Sequence, residues 1–204
     1  PPSGLPIPGR TIALFLGVSL MNRLAFTEQQ LLRYITALHE AAHTFIAHHS
    51  RHWQVLEPAV TFPAANTGHL ARAHFGPKVK RPKMRKKDAR EFIKIGYAGL
   101  HGQNLIGQGT LLSVMSTSDA GCEDDFAAVD RVARASGIAT AEKEKLFLDS
   151  AEIILKNAQT IHALANVISS SDRDIRRADL FAVLGPSPRS APGWWEWLKS
   201  LFAN

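Results

Sequence analysis

The sequence predicts a mainly α-helical fold with one small β-hairpin. Apolar residues recur at three- and four-residue spacing along several segments, which is the period of an amphipathic helix. One short stretch, residues 60–75, instead alternates in character around a turn-rich segment, as a hairpin does. A length of 204 residues and an apolar fraction of 45% suit one domain with tails and a sizeable core.

The first predicted helix covers Leu31–His49. Thr27 begins a capping-box pattern that Gln30 completes, and neither proline nor glycine occurs between Thr27 and Val55. The apolar positions at helical spacing are Leu31, Leu32, Ile35, Leu38, Ala42, Phe45 and Ile46. These positions indicate an amphipathic helix.

A short hairpin is predicted after this helix. Pro58 is expected to break the chain first. Val60–Phe62 and His69–Phe75 are then the predicted strands, and Pro63–Gly68 is the predicted turn.

Three later helices are predicted. They cover Asp88–Ile106, Cys122–Ala135 and Thr140–Ala165, and Arg177–Leu184 ends the predicted globular part. Gly107–Gly121, rich in Gly, Ser and Thr, is the predicted loop between the first two. Three glycines weaken the helical pattern of Asp88–Ile106: Gly96, Gly99 and Gly102. We interpret them as positions where another helix packs closely.

The predicted domain extends over residues 21–187, with a segment of different character on either side. Residues 1–20 are interpreted as a leader whose status is open, because Met21 is a candidate natural start. Residues 188–204 form a Trp-rich amphipathic tail, which either docks on the domain or lies in a membrane interface.

The formal net charge of +6 comes from one segment, Lys78–Lys87. It contains seven basic side chains and no acid, and without these seven the net charge falls to −1. We interpret this basic segment as an exposed connector, with contact to acidic lipid, nucleic acid or an acidic protein as the alternative. No aromatic residue interleaves the basic ones, so nucleic acid is not an expected partner.

The cysteine count bears on the cellular location. Cys122 is the single cysteine, which excludes an internal disulfide and favours a reducing compartment. The apolar stretch at residues 11–20 is about half the length of a membrane span. The expected location is therefore the cytoplasm, either in solution or at the membrane surface. No glycine-rich phosphate loop of the Walker type occurs, so we do not expect the chain to hydrolyse ATP.

The segment His39-Glu-Ala-Ala-His43 lies inside the first predicted helix and matches the pattern H-E-x-x-H. Residues four apart share one helix face, so His39 and His43 can bind one zinc ion. Glu40 is then suited to act as the general base on a water molecule at the zinc. The alternative is two structural histidines and a solvated glutamate. The motif predicts a Zn²⁺ site that needs a third protein ligand.

Seven downstream side chains are candidates for that third ligand. They are His69, His74, His101, Glu123, Asp124, Asp125 and His162. The three consecutive acids fall in the first turn of a predicted helix, where acids also favour the helix dipole. Spacing alone does not choose among these three.

The motif and the acidic helix together resemble the peptidase domain of FtsH-type zinc metalloproteases. That family has a zinc helix H-E-A-G-H and, further on, a segment G-A-x-x-D-L-x-x-A-T-x-x-A-R. The chain has His39-Glu-Ala-Ala-His43 and Gly121-Cys-Glu-Asp-Asp-Phe-Ala-Ala-Val-Asp-Arg-Val-Ala-Arg134 at these places. The resemblance covers roughly Thr27–Leu184. Ala42 replaces a family glycine, and Gly99-Leu-His-Gly-Gln103 replaces a segment G-R-A-A-E.

The resemblance implies an FtsH-peptidase-like helical zinc domain with Asp125 as the third zinc ligand beside His39 and His43. Glu40 is then the catalytic residue. The implied function is a zinc-dependent metalloendopeptidase that hydrolyses peptide bonds in unfolded or flexible polypeptides, without an ATPase of its own. The alternative is a zinc-binding regulatory or scaffold domain, derived from such a peptidase, that has lost turnover. A protein or peptide substrate is the expected partner; a second copy of the chain, a separate ATPase and a membrane surface remain open.

Overall fold

The structure, a computed structural model, describes residues 28–62, 71–107 and 122–185. Six α-helices and two β-strands occur among these residues, which confirms the predicted mainly helical fold with a small hairpin. The predicted leader, the hairpin turn, the loop before the acidic helix and the Trp-rich tail lie outside the described residues. Within the described ranges, no helix combines the length and the apolar character needed to cross a membrane.

Helix α1 covers Glu28–His49 and carries the H-E-x-x-H motif. Every side chain from Ala37 to His48 is buried. A helix that is buried all round lies inside a core rather than on its surface. The second half of α1 is therefore the central element of the domain, and it holds two histidines and a glutamate away from solvent.

Strands β1, Trp53–Thr61, and β2, Arg72–Pro77, form an antiparallel two-stranded sheet. The prediction that Pro58 breaks the chain before the hairpin is wrong, because β1 begins at Trp53 and continues through Pro58. The pairing register shifts between Val55 and Val60, which is a bulge around this proline. A bulge accommodates a residue that has no N–H to donate to the ladder.

Three helices pack together behind α1 and the sheet. They are α2, Lys86–Gly107, α3, Glu123–Ser136, and α4, Thr140–Lys156. The basic segment is accordingly a loop only as far as Arg85, since its last two residues begin α2. The buried apolar cluster between these helices consists of Ala89, Ile93, Tyr97, Val129, Ala133, Ile138 and Leu146.

The glycines of α2 allow the close packing that the sequence predicts. A Cβ atom at Gly96 would lie 2.4 Å from Val129 Cγ2 on α3, and one at Gly102 would lie 2.4 Å from the Leu38 carbonyl oxygen on α1. Side chains at these positions would push the helices apart. The glycines therefore let α2 approach both of its neighbours.

The single long helix predicted at Thr140–Ala165 is wrong. Helix α4 ends at Lys156, and a separate helix α5 covers Ala158–Ser169. Asn157 lies between them, and its side-chain amide donates a 2.8 Å hydrogen bond to the Ile153 carbonyl. Asparagine side chains compete in this way with the backbone hydrogen bonds of a helix. The spacing of apolar residues, from which the helix was predicted, does not show this competition.

Helix α6 covers Arg177–Leu184, the segment that was expected to end the globular part. Two residues before this helix, Ile175 pairs with β1, where its N–H donates a 2.8 Å hydrogen bond to the Val60 carbonyl. The chain from Arg33 onward forms one compact unit, which contains the core and the site described below.

Candidate metal centre

Three of the predicted site residues converge on one point between α1 and α3. The Nε2 atoms of His39 and His43 lie 2.9 Å apart, and each lies 3.1 Å from Oδ2 of Asp125. Both histidines are buried, whereas the Asp125 side chain is 28% exposed. Among the described residues, this is the one group of three or more His, Cys, Asp or Glu side chains that could hold a metal ion.

The three donor atoms fit a zinc ion. A tetrahedral zinc with ligand distances of about 2.0–2.1 Å has its donor atoms about 3.3 Å apart. The observed separations of 2.9 and 3.1 Å are close to that value. Two imidazoles and one carboxylate also form a donor set of the kind found at catalytic zinc, where the fourth position is left to water or substrate.

Backbone and side-chain partners orient the two imidazole rings. Nδ1 of His43 lies 2.6 Å from the carbonyl oxygen of Ile95 on α2, so it donates a hydrogen bond there and leaves Nε2 available to a metal. Nδ1 of His39 lies 3.9 Å from the Cys122 thiol, which donates to the side-chain oxygen of Gln103. Sequence reasoning missed these supporting residues, because a backbone carbonyl carries no sequence signal and Cys122 belongs to no motif of its own.

Because Gly99 has no side chain, the imidazole rings of His39 and His43 fit against it. A Cβ atom at this position would lie 2.4 Å from Cε1 of His39 and 2.6 Å from Nε2 of His43. Any side chain would therefore collide with both rings. The sequence identified Gly99 as a packing residue, and the structure shows that the rings of His39 and His43 pack there.

Charge pairing dominates the electrostatics of the group when no metal is bound. Burial by itself lowers the pKa of His43, but the charge of Asp125 and the hydrogen bond to it raise that pKa to about 9. For Asp125, burial opposes ionisation, but the charge on His43 and the hydrogen bonds from both histidines hold its pKa well below the usual range. The metal-free group therefore holds a proton on His43, which a metal ion has to displace.

Glu40 lies beside the group and contacts the sheet. It is only 7% exposed, and its Oε2 accepts a 2.6 Å hydrogen bond from the backbone N–H of Ala73 on β2. The group and Glu40 line a cleft of about 740 Å³. Residues of β2 and of α3 also line this cleft, among them Arg72, Phe75, Asp124 and Arg131.

The other predicted candidates for the third ligand do not belong to the group. Glu123 and Asp124 are exposed at the start of α3. Three histidines have hydrogen-bond partners elsewhere: His74 bonds to the Thr61 hydroxyl, His101 to the Phe147 carbonyl and His162 to the Tyr34 hydroxyl. His69 lies outside the described residues.

The arrangement can hold one divalent cation beside one carboxylate that can accept a proton. Comparison of the sequence with known protein families gives no match, and neither does comparison with curated proteins. The resemblance to FtsH-type peptidases thus depends on the motif residues alone.

Proposed function

We propose that this protein is a zinc-dependent metalloendopeptidase that hydrolyses peptide bonds in unfolded or flexible polypeptides. The observation that carries the proposal is the convergence of His39, His43 and Asp125 in one cleft, with Glu40 beside them. The proximity of Asp125, rather than Asp124, to both histidines supports the likeness to FtsH-type peptidases, because the family pattern selects the same position.

The roles of the residues follow from their chemistry. His39, His43 and Asp125 hold the zinc ion, which when bound lowers the pKa of water and polarises a peptide carbonyl. Glu40 accepts the proton of the attacking water on its carboxylate and returns it to the leaving nitrogen. The N–H of Ala73 holds that carboxylate in position between the two transfers.

The outer edge of β2 favours an extended substrate. In the described residues β2 pairs with β1 alone, and the N–H of Ala73 points to Glu40 and not to β1. This edge therefore borders the cleft, where an extended peptide can add to the sheet as a further strand. Such pairing needs an exposed backbone, which unfolded or flexible segments offer and folded domains do not.

The test of the proposal is the variant Glu40→Gln. It should retain zinc, since Glu40 is not a ligand, and lose at least about 100-fold in the rate of cleavage of an unfolded fluorescent casein. The matched control is Glu123→Gln, which removes the same charge from an exposed position at the start of α3. The control should keep both zinc and activity. Undiminished cleavage by Glu40→Gln would contradict the assigned role.

A zinc-binding scaffold that has lost turnover is the second candidate. One observation favours it: the Glu40 carboxylate is buried and already accepts a hydrogen bond from Ala73. The scaffold requires that wild-type protein bind zinc through Asp125 and cleave none of a panel of unfolded substrates. Cleavage that Glu40→Gln abolishes excludes it.

A further inference from the structure

The basic segment, residues 78–87, has no role in the proposed reaction, but it adjoins a second cavity. This cavity has a volume of about 690 Å³ and shares none of its described lining residues with the metal-site cleft. Lys87 lines it directly. A smaller cavity of about 50 Å³, lined by Lys78, Arg81 and Arg85, shares Arg51 and His52 with the larger one. The basic segment is mostly exposed, as expected of a connector, and its last residue lines the larger cavity.

Five cationic side chains surround the larger cavity, which we call the basic cavity. Lys87, Arg90 and Lys94 follow one another at three- and four-residue spacing on α2, so they share one face of that helix. Lys145 belongs to α4, and Arg51 to the connection between α1 and β1. Three separate parts of the fold thus direct positive charge to one place.

Two of the three acids that line the basic cavity have partners of their own. Glu142 pairs with Arg90 at 2.5 Å and with Lys86 at 3.1 Å. Glu91 accepts hydrogen bonds from the Ser50 hydroxyl and, at 2.9 Å, from the backbone N–H of His52. The partners of Glu91 are neutral groups, so its charge still counts. With five cations and three acids, the described lining has an excess of two positive charges.

Four of the cations have no partner among the residues that the structure describes. Within those ranges, neither a hydrogen bond nor an ion pair engages the side chains of Arg51, Lys87, Lys94 or Lys145. A concave surface with an excess of one charge focuses the electric field and raises the local concentration of counter-ions. The basic cavity has the charge and the shape of an anion site.

We propose that the basic cavity binds a small ligand that carries several phosphate groups. Its volume of about 690 Å³ lies within the range of small-molecule sites. Lysine ammonium groups bind phosphate as point charges, and three of the four unpaired cations are lysines. Among the lining residues that the structure describes, none is Phe, Tyr or Trp, and the one ring is the small imidazole of His52, so the lining offers a nucleobase no large ring to stack on. A concave site also suits a small anion better than the flat surface of a bilayer.

Calorimetric titration with inorganic triphosphate in 150 mM salt tests this proposal. The double variant Lys87→Gln/Lys94→Gln removes two unpaired cations from the cavity. The matched control, Lys80→Gln/Lys83→Gln, removes the same charge from positions of the basic segment that do not line it. The cavity variant should bind about tenfold more weakly than wild type, since each exposed charge contact contributes about threefold. The control should stay within twofold.

Three results would overturn the proposal. The first is the absence of saturable binding to wild-type protein. The second is an equal loss in both double variants, which would mean that general charge and not the cavity attracts the anion. The third is binding to vesicles that contain anionic lipid while triphosphate neither binds nor competes, which would assign the basic segment to a membrane. If Lys87→Gln/Lys94→Gln does not fold, Lys145→Gln replaces it, with Lys156→Gln on the same helix as its control.

Discussion

Replacing Gly99 by alanine should abolish tight zinc binding and leave most of the fold intact. The added Cβ atom would lie 2.4 Å from Cε1 of His39 and 2.6 Å from Nε2 of His43. Carbon atoms in contact are normally about 3.5–4.0 Å apart, so at least one ring has to move by about 1 Å. Zinc–ligand distances tolerate a change of only about 0.2 Å. We therefore expect zinc affinity to fall about 100-fold or more, at the upper end of the effect of removing a supporting residue.

The loss of stability should be smaller. Alanine is favoured over glycine in a helix by about 1 kcal/mol, whereas overpacking a close contact costs about 1–3 kcal/mol. The free energy of unfolding of Gly99→Ala should thus fall by no more than about 2 kcal/mol. Gly96→Ala is the matched control, because its Cβ atom would lie 2.4 Å from Val129 Cγ2 and would meet Asp125 only at the backbone oxygen, at an ordinary contact distance of 3.8 Å.

A competitive titration of zinc against a chromophoric chelator measures the affinity, and thermal unfolding of the same samples measures the stability. Gly96→Ala should lose a similar amount of stability and keep the zinc affinity of wild type. The reasoning is refuted if Gly99→Ala binds zinc within threefold of wild type. It is refuted equally if both variants lose zinc to the same extent.

The remaining predictions concern the ligand assignment and the pH dependence of stability. Asp125→Asn should lose zinc in metal analysis while Asp124→Asn retains it, and the opposite result would exclude Asp125 as the ligand. In metal-free protein the pKa of His43 is raised from 6.5 to about 9. Its pairing with Asp125 therefore stabilises the fold fully below pH 6.5, and this stabilisation, about 3 kcal/mol, is lost as the pH rises through 9. Urea unfolding with a chelator present should show this loss between pH 6 and pH 9.5, and equal stability at both would contradict it. With saturating zinc the stabilisation by the metal should instead grow as the pH rises, because the metal needs a neutral imidazole.

Local patterns predicted the helices well and their interruptions badly. The motif helix was predicted at Leu31–His49 and observed at Glu28–His49, because a run of apolar residues at helical spacing is a property of the segment itself. The single helix across Asn157 and the break at Pro58 were wrong for a common reason. Whether such a residue ends an element depends on which hydrogen bonds its surroundings offer. Asn157 bonds to the helix behind it, and Pro58 lies in a bulge that a partner strand supports.

The three residues of the candidate metal centre were predicted to lie together, but the residues that support them were not. The three consecutive acids of α3 were equivalent by spacing, and only a resemblance to a family selected Asp125. The carbonyl of Ile95 and the thiol of Cys122 were not predicted at all. The glycines of α2 had a clear pattern, but the pattern did not indicate that one of them faces imidazole rings.

The sequence by itself determined that the imidazoles of His39 and His43 lie one turn apart on one face of a helix, since a spacing of four residues is sufficient for that. The carboxylate of Glu40 lies on the same turn. It also determined that positive charge is concentrated in one segment. Only the tertiary structure decided which acid meets the histidines, and that Lys87 lines a cavity together with residues of α4 and of the connection after α1. His39 and Asp125 are 86 positions apart in the chain, and His43 and Ile95 are 52 apart. Contacts over such separations arise from the packing of whole helices, which the period of a single segment does not encode.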